Sequence, residues 1–139
     1  MNALLSQQRV GRTQKYMVPG DPTALARARH GRGKTWDTQK DVKRNTGIFL
    51  QSQHQGDFYL GPLSFDVVFF LSPPLKTKRP NNTYHHFKPD LDNLIKFILD
   101  VATGILYKDD SVISCISAMK KYSDLPRTEI IITQMSNGK

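Results

Sequence analysis

The residues of this chain whose types and spacing suit chemistry are Asp90, Asp92, Lys96, Asp109 and Asp110. They fall in the stretch from Lys88 to Ser111, which holds five of the chain's eleven aspartates although the formal net charge is +8. Hard carboxylate oxygens, with neither paired cysteines nor converging histidines, suit Mg2+ or Mn2+ rather than zinc. Three carboxylates can hold one or two such ions, which would activate a water for in-line attack on a phosphodiester and stabilise the leaving oxygen. Lys96 could then meet the scissile phosphate as a point charge.

These side chains need a scaffold. Leu91, Leu94, Ile95, Ile98, Leu99 and Ala102 recur at helical spacing and predict a helix with one apolar face. Pro89 starts it sharply, so Asp90 and Asp92 sit at the positive end of its dipole, where anions are favoured. Asp92 and Lys96, four apart, share a helix face. Asp109 and Asp110 belong to a separate segment, which reaches the helix start only if the chain doubles back after Gly104. A plainer reading stands beside this one: Asp92 as a cap, Lys96 and Asp100 as a surface pair, Asp109 and Asp110 as turn residues. Asp100 is read as structural, since it lies about 12 Å along the axis from Asp92.

Around that helix the chain predicts a mixed sheet in the order β, α, β, α, β, β, an α/β (α+β) fold in a single small domain. Residues 1–14 read as a flexible basic tail, 15–135 as the domain and 136–139 as a C-terminal tail. A short strand at Lys15–Val18 precedes the turn Pro19-Gly20-Asp21-Pro22. Asp37 or Thr38 would cap a helix running to about Gln53, with Gly47 against it. Leu63–Leu71, β-branched and aromatic, is placed centrally in the sheet. Val112–Tyr122 and Thr128–Gln134 are two further strands, and Ser123-Asp124-Leu125-Pro126 between them suits a hairpin turn.

The basic residues are unevenly spread. Residues 9–44 hold ten basic and three acidic residues, among them Arg27, Arg29, Arg32 and Lys34 interleaved with glycines. Such a segment is either a solvated loop or an arm that contacts phosphates through guanidinium groups and backbone amides. The long loop from Ser72 to Phe87 adds Lys76, Lys78 and Arg79, and Lys88 follows it. Loops of this length usually carry function or lack order. The adjacent His85 and His86 cannot easily converge on one ion. Net positive charge fits a nucleic acid or an acidic membrane surface. No apolar run is long enough to span a bilayer, and the basic residues do not line one amphipathic helix, so nucleic acid is favoured. The lone Cys115 excludes an intrachain disulfide and a multi-cysteine zinc site. With no signal-peptide pattern at its start, the chain is expected in the cytoplasm.

The central stretch resembles the RusA family of Holliday junction resolvases, found in bacteria and their prophages. The matching residues are Lys88-Pro89-Asp90-Leu91-Asp92-Asn93-Leu94-Ile95-Lys96, then Gly104-Ile105-Leu106-Tyr107-Lys108-Asp109-Asp110-Ser111. The early Pro-Gly-x-Pro with Arg-rich sequence after it is similar to the family's N-terminal strand and basic turn. The resemblance implies that Asp90, Asp92 and Asp110 bind Mg2+, with Asp109 the other member of its pair, and that Lys96 is catalytic. It also implies a homodimer that nicks two strands of a four-way DNA junction symmetrically. A nuclease for flaps or other branched DNA, and a basic nucleic-acid-binding module without nuclease activity, are the alternatives.

Overall fold

The computed structural model describes residues 11–26 and 29–136. The elements are β1 (Thr13–Pro19), β2 (Arg29–Gly31), β3 (Lys34–Trp36), α1 (Lys40–Gln53), β4 (Leu63–Leu71), α2 (Leu91–Ala102), a 3-10 turn (Asp110–Val112), β5 (Ile113–Tyr122) and β6 (Arg127–Gln134). Four strands form one mixed sheet in the order β1-β6-β4-β5, and β2 with β3 forms a separate small hairpin. No helix among the described residues is long and apolar enough to cross a membrane.

β4 lies inside the sheet, antiparallel to β6 and parallel to β5. Parallel neighbours need a crossover, and α2 supplies it. Phe65, Val67 and Phe69 of β4 and Ile130 and Ile132 of β6 point to one face. They are buried there with Leu50 of α1 and with Leu94, Phe97, Ile98 and Val101 of α2. Both helices therefore cover one face of the sheet. The other face carries Met17, Asp66, Val68, Met119 and Ile131 and is open.

Gly47 explains its own position in α1. A Cβ there would come 2.9 Å from Ile105 Cδ1 and 3.7 Å from Val101 Cγ1. The glycine lets α1 approach α2 and the turn after it closely, at the helix-propensity cost that made it look out of place.

Two expectations are corrected. Ser123–Pro126 is not a hairpin turn, because β5 and β6 do not pair: β4 lies between them, and the link carries the chain past the end of β4. Alternation and a turn signal identify strands but not which neighbour each one chooses. The basic segment expected as a loop contains the hairpin β2–β3, whose strands are too short for a periodic signal. Three smaller shifts concern element ends. β1 starts at Thr13, inside the expected tail. α1 starts at Lys40 after Gln39. Asp37 does not cap it directly but accepts the Gln39 amide at 2.8 Å and the Lys43 ammonium at 2.6 Å.

Candidate active site

α2 forms because its apolar residues recur every three to four positions over 12 residues. Asp90 is its N-cap residue in extended backbone, and Asp92 lies in its first turn. Both carboxylates are exposed, and the cationic residues gather round them. Lys88 Nζ donates to both oxygens of Asp90, at 2.8 and 3.0 Å. That hydrogen bond holds the Asp90 carboxyl below the usual carboxylate range and raises the Lys88 ammonium. Lys96 Nζ is 3.9 Å from Asp92, one turn along the same face. Lys120, near the end of β5, donates to the carbonyls of Phe87 at 2.6 Å and Pro89 at 2.8 Å. Its charge reaches Asp90 as well.

The basic arm is anchored beside this acid pair. The Leu25 amide donates to the Asn93 carbonyl in the first turn of α2, at 2.9 Å. Gln39 clamps the same segment, bonding the Ala26 amide and the Ala24 carbonyl. From there the chain enters β2 and β3, with Arg29 opposite Trp36 and Lys34 opposite Gly31. Arg32 is in the turn between them with φ +49°. Arg27 lies outside the described residues. Lys76 and Lys78 are exposed on the Ser72–Phe87 segment, and Arg79 is half-buried over the Tyr122 ring, 6.0 Å from its centroid.

Part of that segment is ordered by β5. Asn82 donates to the Tyr122 carbonyl, Tyr122 to Thr83 and His85 to Lys120, so residues 82–85 run beside the last turn of the strand. His85 packs on Tyr122, their rings 4.8 Å apart, and burial lowers its pKa. His86 stacks on Phe87 instead. The two imidazoles do not form a metal site: among the described residues no group of three or more His, Cys, Asp or Glu side chains could hold a metal ion.

The same holds for the aspartates within one chain. The segment after α2 does not double back to the helix start. Gly104, at φ +84°, makes a tight turn in which its amide donates to the Tyr107 carbonyl at 2.7 Å. The buried Tyr107 hydroxyl then donates to the Leu99 carbonyl at 3.1 Å. This pins Asp109 and Asp110 at the C-terminal end of α2, about 18 Å from its start at 1.5 Å per residue. β5 gives the same answer. It begins just after Asp110, and Lys120 reaches Pro89 only after roughly 23 Å of strand. Asp90, Asp92, Lys88 and Lys96 are brought together; Asp110 and Asp109 are not.

Most of this architecture is covered by one family model. Residues 19–133 match endodeoxyribonuclease RusA. The chain belongs to the RusA endodeoxyribonuclease family. An uncharacterized protein of Bacillus subtilis (strain 168), YqaN, is 29% identical over 137 residues, which cover 88% of this chain and 96% of that protein. A crossover junction endodeoxyribonuclease rusA of Lactococcus phage r1t is 37% identical over 75 residues, 53% of this chain and 56% of the phage protein. The RusA match includes both ends of α2, the basic residues from Arg27 to Lys34 and those from Lys76 to Lys88.

Sequence reasoning missed Lys120. It stands in the doublet Lys120-Lys121, which reads as a polar strand end. Only the pairing of β5 with β4 under α2 places its ammonium among the carbonyls that precede Asp90.

Proposed function

We propose that this RusA-family endodeoxyribonuclease resolves four-way DNA junctions as a Mg2+-dependent homodimer. The observation that carries the reading is the exposed Asp90–Asp92 pair at the N-terminus of α2, ringed by Lys88, Lys96 and Lys120 in an otherwise basic chain. An acid pair in such surroundings suits a polyanion that arrives with its own cations.

One chain supplies half of a cation's donor set. Asp90 and Asp92 offer hard oxygens of the right kind, while Asp110 stands at the far end of α2. A second copy related by a two-fold axis supplies the missing carboxylate if its α2 runs antiparallel to the first. Each dimer then has two equivalent sites, which matches paired nicks in a junction of two-fold symmetry. A divalent ion held by such carboxylates supplies water activation and charge neutralisation at the phosphate.

The chain's own residues do the rest. The hairpin around Arg32 and the exposed Lys76 and Lys78 bind backbone phosphates. Lys88 neutralises Asp90 until DNA arrives and then becomes available for a phosphate. Lys96 faces solvent beside Asp92, where an ammonium stabilises charge on a phosphate oxygen. Replacing Asp90 or Asp92 by Asn tests the assignment. Cleavage is lost and junction binding is kept; turnover retained in both variants contradicts it.

A further inference from the structure

We propose that the Phe87 ring reads branched DNA in this chain: it stacks on a base laid bare where the duplex stack breaks, beside the phosphate met by Asp90 and Asp92. The substrate rests on the function proposed above, but the stacking surface does not depend on nuclease activity.

An exposed phenylalanine is ordinary by itself. Phe87 differs in how it is held. It is 54% exposed, whereas Phe65, Phe69 and Phe97 are buried in the core. Its carbonyl accepts the Lys120 ammonium at 2.6 Å. On its N-terminal side, residues 82–85 are hydrogen-bonded to the end of β5. On its C-terminal side the chain enters α2 through Asp90. The His86 ring stacks on Phe87 with centroids 4.4 Å apart, and the His85 ring lies perpendicular to it at 6.3 Å. His85 in turn packs on the buried Tyr122. The Phe87 ring is therefore fixed before any ligand arrives, and such preorganisation strengthens binding by lowering the cost of ordering.

Cations cluster about this ring. Lys88 follows it in the chain and is exposed, and Lys120 holds its carbonyl. Lys121 Nζ lies 5.3 Å from the centroid of the exposed Tyr84 ring. Rings interleaved with cations suit unpaired nucleotides, because the charges follow the backbone while the rings take base faces. An apolar protein partner docked here would strip water from these ammonium groups, so a polyanion is the better fit.

Phe87 and Asp90 are three positions apart in the chain, so their Cα atoms lie within about 11 Å of each other. A DNA strand advances about 3.4 Å per base, so the ring and the acid pair address the same few nucleotides. In a linear duplex both faces of each base are covered by its neighbours, and baring one costs unstacking energy. At a branch point the stack is already broken. A fixed ring therefore gains from branched DNA what a duplex withholds, whereas the lysine contacts to phosphates are available on both.

A four-way junction carrying 2-aminopurine at the branch point, titrated with the full chain in EDTA, reads stacking rather than chemistry. Its fluorescence should rise when the wild type binds, as the probe leaves its neighbours, and the same probe inside a linear duplex should stay silent. Phe87→Leu keeps an apolar side chain and loses the aromatic face. It should abolish the rise and weaken junction binding about tenfold, with duplex affinity unchanged. Phe87→Tyr should restore both. A silent probe on the bound wild type overturns the proposal, even if Phe87→Leu fails to fold, and leaves the function proposed above intact. A Phe87→Leu chain that matches the wild type in fluorescence and affinity does the same. Altered sedimentation of the DNA-free Phe87→Leu chain also overturns it, since the ring then serves a protein contact. A wild type that binds no junction overturns the function proposed above, and the stacking role with it.

Discussion

The Lys120 ammonium donates to the Pro89 carbonyl at 2.8 Å, tying the end of β5 to the residue before Asp90. A second bond to Phe87 spans Lys88, so this one side chain brackets the lysine that neutralises Asp90. Lys120 is thus a positioning residue. Lys120→Met should lower kcat about tenfold or more with little change in junction affinity, in line with the cost of a small misplacement at a reacting centre. Lys120→Arg should recover part of the rate. Single-turnover kinetics beside binding isotherms separate the two quantities, and an equal loss in both would mean that Lys120 serves DNA binding.

Asp90 titrates below the usual carboxylate range because Lys88 hydrogen-bonds its charged form. A lowered folded-state pKa stabilises the protein above the unfolded value, and that contribution disappears as pH falls through the folded pKa. The Asp90 carboxyl is exposed to solvent, so the contribution is screened and the shift itself is the quantity to read. NMR titration of the DNA-free protein should place Asp90 below about 3.9, the value of a free aspartate. In Lys88→Met it should return toward that value.

The proposed division of the site between two subunits predicts complementation. Asp90→Asn and Asp110→Asn homodimers should each be inactive. Mixed and allowed to exchange, they form heterodimers in which one site has both native aspartates and the other has neither. Such a mixture should nick one strand of a junction without resolving it. Continued inactivity after verified exchange would place Asp90 and Asp110 in different roles.

Gly47 is a packing prediction. Gly47→Val puts a β-branched side chain where Ile105 Cδ1 already stands 2.9 Å from a Cβ. Overpacking of this kind costs about 1–3 kcal/mol, so the thermal midpoint should fall by several degrees. An unchanged melting curve would show that Ile105 moves aside freely.

Much of this molecule is legible in its residues. Leu63–Leu71 reads as a central strand because its residues are nearly apolar on both faces, and it lies inside the sheet. Asp90, Asp92 and Lys96 read as one cluster because a helix fixes their spacing. What sequence spacing cannot carry is long-range direction. Nothing local says that β5 chooses β4 rather than β6, and that choice decides where Lys120 lies. Likewise Gly104 announces a turn, but Tyr107 bonding to Leu99 decides that Asp110 stays at the wrong end of α2. The apolar stripe of α2 reads as one core face, and Leu91 and Ile95 pack at its margin, only partly buried.

Cleavage of a labelled mobile four-way junction tests the central claim most directly, with linear duplex and a flap beside it, each in Mg2+ and in EDTA. The account predicts paired symmetric nicks on the junction alone, only with Mg2+, and none with Asp90→Asn or Asp92→Asn. Junction binding without cleavage under every condition, or equal cleavage of the flap and the duplex, would contradict it.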